Sequence, residues 1–490
     1  MPEEATAEST PPPLPPSPLE KLNDFPDRLS PMLVKELRQG LRTHSFVILF
    51  LILQGLLALI LLTIAAANPK AGGVVSSIIF CFFSFAVLLV QPLRGMSAIS
   101  SEVKSDTIDL MSLTRLSAWR IVFGKWSSIM GQTGLFLFAV IPYLILRYFF
   151  GGMQLFSELL LFFSIFLLSG VFTAITVGLS ASTLALIRSL PLFLGLLLIF
   201  IIPNLSFAEL DSVLEALTPK TLSHSLGLIG TYLIGGFVGY FFLELAATAI
   251  APSSENRATR KRLISLVVIP LAFAALHTVE PEMAWFVTLL LLTLVSLDFF
   301  TENQDYPSVV MRPFLRLGPL GSFAARFLTP GWATGTLFHL NLTSLIILLS
   351  LAMGKELRDP NNLSAWIGLG IVLGTLYLSN LLGQIFQKKF SSRLVAYIIF
   401  ISMLGLLLPL LSILSSIGEV ETVAWAFCLL PPAQVFLFDN AKDSTIILVT
   451  WITAGLYIFG CIAYAFKPLV QLSKLEREEF DSLDNEANNK

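Results

Sequence analysis

Few ionisable or nucleophilic residues lie inside the apolar stretches of this chain, and their spacing limits the chemistry open to it. Glu244, His277, Asp298 and His339 are among the ionisable side chains within candidate membrane spans. An acid or histidine near the bilayer midplane is the usual device of an ion-coupled pathway. His277 and Asp298, however, fall at the ends of apolar stretches, and Glu244 and His339 lie about 10 Å from the cytoplasmic edge at 1.5 Å per residue. Such positions suit snorkelling or local pairing better than a proton relay. Cys81, Cys428 and Cys461 are far apart and sit in or beside apolar runs, so they read as small buried side chains rather than a disulfide or zinc framework. No H-E-x-x-H, G-x-S-x-G or paired intramembrane aspartate is present, so no catalytic residue, metal or cofactor is expected. The two Gly–Lys pairs, Gly124–Lys125 and Gly354–Lys355, lack the upstream glycine and the following hydroxyl residue of a phosphate-binding loop.

Composition explains why polar chemistry is so scarce. Of 490 residues, 55% are hydrophobic and 13% charged, and the mean hydropathy is +0.80. A soluble domain is about 25% charged, so this chain lacks the material for a hydrophilic surface. A net charge of −2 offers no basic excess for nucleic acid. The chain reads as an all-α polytopic membrane protein.

A helix needs about 20 apolar residues to cross the hydrocarbon core. That ruler yields about twelve transmembrane helices, six in residues 46–251 and six in 263–466. Lys and Arg test the count, because they concentrate on the cytoplasmic side. With the N-terminus inside, 25 of the 31 basic residues fall on inner segments and 6 on outer ones. Both termini are then cytoplasmic, and the protein sits in a cell membrane (the inner one in a bacterium). Residues 422–438 are apolar but broken by Pro431 and Pro432, and read as a re-entrant or interfacial hairpin. Residues 1–28 form a Pro-rich, disordered cytoplasmic tail, 252–262 a basic cytoplasmic linker, and 467–490 a charged cytoplasmic tail.

Two cytoplasmic elements stand out. Residues 29–45 read as an amphipathic interfacial helix started by Ser30–Pro31, with Leu33, Val34, Leu37 and Leu41 in one arc and Lys35, Arg38 and Arg42 beside it. The loop 91–127 between spans two and three carries helix-capping residues and leucines that a plain connector does not need. Its Ser105, Asp106 and Asp109 suit a helix start, and Leu110, Met111 and Leu113 lie open to the cytoplasm unless a partner covers them.

At these two elements the chain resembles the permease subunit of type-2 ATP-binding-cassette transporters. The opening pattern P-x-L-x-K-E-L-R is matched by Pro31, Leu33, Lys35, Glu36, Leu37 and Arg38. The segment after the second span is matched by Ser101, Glu102, Thr107, Ile108, Asp109, Leu110, Leu113, Thr114, Leu116, Ser117, Ile121, Val122, Gly124 and Lys125. It departs from the family at Arg115, where proline is usual, and at Ser105–Asp106. The resemblance covers roughly residues 30 to 180. It implies an exporter's membrane subunit whose loop enters a groove on a separate ATPase subunit. Leu110, Met111 and Leu113 would be covered there, with Glu102, Asp106, Asp109 and Arg115 forming pairs at the rim and Thr114 among the coupling residues. A second cytoplasmic loop, 301–331, echoes part of the first, Leu328, Thr329 and Pro330 aligning with Leu113, Thr114 and Arg115. This suggests two fused six-span halves. One chain or a homodimer as the pathway, and the identity of the substrate, both stay open. An ion-gradient-driven secondary transporter is the alternative reading, and an intramembrane lipid-modifying enzyme a more distant one.

Overall fold

The computed structural model describes residues 31–67, 72–104, 117–151, 154–182, 185–252, 255–304, 306–353, 360–415, 427–440 and 444–488. Helices carry nearly all of them, and no strand occurs among the described residues. Backbone amides in hydrocarbon have no water to bond, so an apolar run of this length closes its hydrogen bonds within a helix.

A short helix α1 (Pro31–Leu41) precedes the long helices α2 (His44–Ala67) and α3 (Gly72–Ser84). Next come α4 (Ala118–Phe149), α5 (Leu155–Ser180), α6 (Ala185–Phe207), the short α7 (Leu210–Leu217) and α8 (Leu222–Ile250). The rest of the chain supplies α9 (Ala258–His277), α10 (Pro281–Phe299), α11 (Gly318–Leu328), α12 (Trp332–Met353), α13 (Pro360–Ile385), α14 (Arg393–Ser415) and α15 (Ser444–Asn488). Eleven of these are long and apolar enough to cross a membrane. The twelfth long helix, α9, opens with Arg260, Lys261 and Arg262, and its remaining 15 residues from Leu263 rise about 22 Å. Phe200, Phe459 and Leu406 are 73%, 71% and 67% exposed on helix flanks, which only a lipid solvent tolerates at this frequency. The protein is a multi-pass integral membrane protein.

Local chemistry sets the helix ends. Thr221 caps α8 by accepting the His224 amide at 3.2 Å. Pro281 opens α10 behind an extended Glu280, where its missing N–H costs nothing. Gly151 stops α4 with φ +77°, a left-handed turn that a Cβ would strain.

Two buried clusters divide the chain. Phe80, Phe83, Phe136 and Phe162 anchor the cluster built by α2 to α7, and Phe241, Phe273, Phe299 and Tyr377 the larger one built by α8 to α15. Helix α8 joins them, packing along α5 on one side and α9 on the other. At Gly178 of α5 an added Cβ would stand 2.6 Å from the Phe242 carbonyl oxygen of α8, so glycine permits that approach.

Several connectors differ from the sequence reading. Span two does not end near residue 90: a π-helical turn at Phe85–Val90, a short α turn at Gln91–Leu93 and a 3-10 turn at Arg94–Ser97 carry it into Ser100–Lys104. The π turn is held from outside, with the Ser169 hydroxyl donating to the Val87 carbonyl at 2.5 Å. Because α4 then begins at Ala118 with Ser117 at its N-cap position, residues 118–127 of the expected loop 91–127 are helix as well, and residues 105–116 lie outside the described residues. The linker 252–262 is likewise shorter, since α9 starts at Ala258. The expected C-terminal tail is largely helix, α15 continuing to Asn488. Its Leu472 packs with Met311, Phe314 and Ala325 of the loop between α10 and α12, and Glu479 pairs with Arg312. That loop itself holds a 3-10 turn at Ser308–Met311, a helical turn at Arg312–Leu315, and α11. Residues Pro431–Asn440 form a 3-10 helix of 10 residues, about 20 Å long at 2 Å per residue and too short to span. It is wedged among α13, α14 and α15, and Gln434 ties it down by donating to the Cys428 carbonyl (2.7 Å) and Thr453 Oγ1 (2.9 Å).

Candidate functional site

Most of the buried charges collect where the long helices end on the side that carries most of the basic residues. The first cluster is built on Lys125, about two turns into α4 and 6% exposed. Its ammonium lies 3.2 Å from Glu36 Oε1 and 2.9 Å from Glu102 Oε1. A lysine buried to this degree demands carboxylate partners, and each comes from a different element. Glu36 projects from α1, which packs along α4. Its Lys35, Arg38 and Arg42 are exposed, whereas Leu33, Val34, Leu37 and Leu41 are half-buried. Glu102 sits in the last turn of the span-two helix. That turn is fixed by Ile99, 1% exposed, whose amide donates to Ser180 Oγ at 3.1 Å.

A second link ties the same three helices one level deeper. Arg94 donates to Gln132 of α4, and its guanidinium lies 5.5 Å from the Phe46 ring of α2. Gln132 also fills the space a side chain at Gly40 of α1 would need. Of the residues expected to meet an ATPase, Asp106, Asp109, Leu110, Leu113, Thr114 and Arg115 lie outside the described residues. Glu102 stands at the edge of that segment.

The second cluster lies at the start of α9. Lys261, wholly buried, lies 2.6 Å from Asp298 Oδ2 and 3.0 Å from Glu302 Oε1. Arg262, also wholly buried, pairs with Glu302. Its Nη1 donates to the carbonyls of Phe327 (2.7 Å) and Thr329 (2.6 Å) and to Thr334 Oγ1 (3.0 Å), and its Nη2 to the Gly331 carbonyl (3.1 Å). Glu302 Oε2 in turn accepts the Gly331 amide at 3.2 Å, and Gly331 adopts φ +124°. One guanidinium thus holds the Leu328–Thr329–Pro330 turn that echoes the first loop. Burial pushes the Glu302 carboxyl upward, but Arg262 and Lys261 outweigh it and hold it below the usual carboxylate range. Nearby, Glu244 of α8 lies 2.9 Å from Arg257 and accepts the Tyr240 hydroxyl at 3.1 Å.

The reading of 252–262 as a basic cytoplasmic linker did not foresee these contacts: α9 starts at Ala258, and Arg257, Lys261 and Arg262 are buried. The error came from treating a charge run as a connector. Asp298 in the last turn of α10 and Glu302 just beyond its end both reach Lys261, whereas Arg257 pairs with Glu244 of α8.

Deeper in the second core, His339 is wholly buried, with Nδ1 3.1 Å from the Tyr377 hydroxyl and Nε2 3.3 Å from the Leu292 carbonyl oxygen. Asn380 donates to Thr336 Oγ1 at 3.1 Å, and Gln384 to the Phe300 carbonyl at 3.0 Å. These bonds join neighbouring helices. On the opposite side, Arg147 of α4 and Glu158 of α5 are each 3% exposed and 3.5 Å apart, beside a cavity of about 380 Å³. Among the described residues no group of three or more His, Cys, Asp or Glu is placed to hold a metal ion.

Comparison with known families matched no family model, and neither the curated proteins nor the solved structures yielded a match.

Proposed function

We propose that this protein is the membrane-spanning permease subunit of an ATP-binding-cassette exporter, forming the translocation pathway and driven by a separate ATPase subunit. The observation that carries the reading is the bridge from Lys125 to Glu36 and Glu102. The two sequence elements that resemble a type-2 permease, the opening basic helix and the segment after span two, meet at a single buried ammonium. A force applied to residues 105–116 by a closing ATPase pair would pass through Glu102 to α4 and, through Glu36, to α1. The bridge suits that task because a buried ion pair resists separation more strongly than an exposed one.

The α9 cluster supports a different role for the second half. There the corresponding turn is clamped from inside by Arg262, and α15 packs against the adjoining loop. On this reading only the first half presents a segment for coupling, and the second half serves as its packed counterpart. The secondary-transporter alternative would draw on Glu244, Asp298 and His339. Two of these carry ion pairs to cations at the same membrane edge, and the third is held between Tyr377 and Leu292, which favours structural roles for all three.

The test is capture of the full-length protein in mild detergent, followed by identification of what accompanies it. An ATP-binding-cassette ATPase is expected in the wild-type eluate, reduced at least tenfold by Asp109→Lys with Leu110→Glu. ATP-independent movement of cargo by the protein alone in liposomes would overturn the reading.

A further inference from the structure

We infer that α11 lies in the headgroup layer of the cytoplasmic leaflet, with Leu320 and Phe323 among the acyl chains and Arg316 and Arg326 against the phosphates of anionic lipid. Its pattern is inverted for a helix that only covers a protein core. Leu320 and Phe323 are 81% and 62% exposed, and Leu317, just before the helix, is exposed as well. Gly321 and Ala325 are buried. A helix on a soluble core turns its large apolar side chains inward; here the small ones face the protein.

The inward seat fixes where the outer face points. Ala325 packs with Met311, Phe314 and Leu472. A Cβ at Gly321 would collide with the Phe314 carbonyl oxygen, so glycine lets the helix settle on the turn before it. At 3.6 residues per turn, Leu320 and Phe323 stand about 140° and 160° round the helix from Ala325. The Phe327 ring, 5.2 Å from that of Phe323, continues the same face.

Depth then selects lipid as the occupant. Leu472 comes five residues after Lys467, the first charged residue of α15, so it lies about 7.5 Å beyond the hydrocarbon at 1.5 Å per residue. The headgroup layer on each side of a bilayer is roughly that deep. Because α15 crosses the bilayer, a helix seated on its flank at this level turns its opposite face sideways into lipid. Trp332 opens α12 six residues after Arg326, and indole rings concentrate in the same layer.

Charge selects the kind of lipid. Residues 306–331 contain Arg312, Arg316 and Arg326 and no acid. Arg312 is engaged by Glu479, whereas Arg316 and Arg326 are exposed and form no ion pair among the described residues. Large apolar side chains flanked by free cations suit the surface of an anionic leaflet.

The experiment places a bimane label at Leu320→Cys, Phe323→Cys or Glu478→Cys in the cysteine-free, full-length protein, reconstituted alone in phosphatidylcholine liposomes with 20 mol% phosphatidylglycerol. All three positions are exposed, and residue 478 lies about 16 Å beyond Lys467 along α15, so it is the aqueous reference. Doxyl-labelled lipid is expected to quench the labels at 320 and 323 at least threefold more than the one at 478, and iodide to do the reverse. Without phosphatidylglycerol, lipid quenching at 320 and 323 should fall at least twofold. Arg316→Gln with Arg326→Gln should remove that dependence on lipid charge. Iodide quenching at 320 and 323 equal to that at 478 would overturn the proposal and leave the face to a soluble protein partner. Quenching indifferent to phosphatidylglycerol in the protein with both arginines would overturn the role of the anionic headgroup. No ATPase subunit is present, so either result is independent of the coupling reading.

Discussion

Lys125 and Glu36, 89 positions apart in sequence, are brought to 3.2 Å by the packing of α1 along α4. The lysine is 7% exposed at its side chain and the glutamate 18%. The pair therefore fixes the angle at which the opening helix meets the first bundle, and Glu102 extends the constraint to the end of span two.

Removing the lysine takes away the cation that Glu36 and Glu102 share. Lys125→Met should destabilise the protein by about 2 to 4 kcal/mol, near the range for breaking a largely buried ion pair. Adding Glu36→Gln and Glu102→Gln should restore much of the loss. Thermal melts of the detergent-purified variants form the cycle that checks this. Additive losses in the triple variant would mean that the three side chains do not interact.

Arg262 serves five acceptors from one planar group, which an ammonium cannot reproduce. Arg262→Lys should therefore behave almost as poorly as Arg262→Met, with faster amide exchange across residues 326–332. A loop exchanging at wild-type rates in Arg262→Lys would show that the clamp is dispensable.

Gly335 of α12 is a packing requirement. A Cβ there would stand 2.0 Å from the Phe299 carbonyl oxygen of α10, whereas Gly405 of α14 has nothing within 4 Å. Overpacking costs about 1 to 3 kcal/mol, and more when backbone must yield. Gly335→Ala should lower the melting temperature and the yield of monodisperse protein, and Gly405→Ala should leave both within error.

Topology is open to a labelling experiment. In a cysteine-free background, Lys35→Cys should react with a membrane-impermeant maleimide only after permeabilisation, and Lys220→Cys should react in intact cells. Lys35 is exposed in the middle of α1, and Lys220 is exposed in the connection between α7 and α8. Labelling of both in intact cells would contradict an N-terminus on the cytoplasmic side.

The number and rough position of the long helices were legible in the residue string, because crossing hydrocarbon is a one-dimensional requirement of length and apolarity. The amphipathic arc of α1 was legible for a similar reason, since its period lies within three turns. The ends of the helices were not. Residues 91–104 and 118–127 are polar enough to read as loop, yet they are helical because neighbouring helices supply partners: Ser180 for Ile99, and Glu36 and Glu102 for Lys125. Nor could a charge run reveal that Lys261 and Arg262 are buried. A cation's environment depends on whether an acid from another helix reaches it, and Asp298 and Glu302 arrive from α10 and its exit, some 40 residues downstream. Local apolarity decides that a segment enters the membrane; the pairing of charges between helices is settled only when those helices pack.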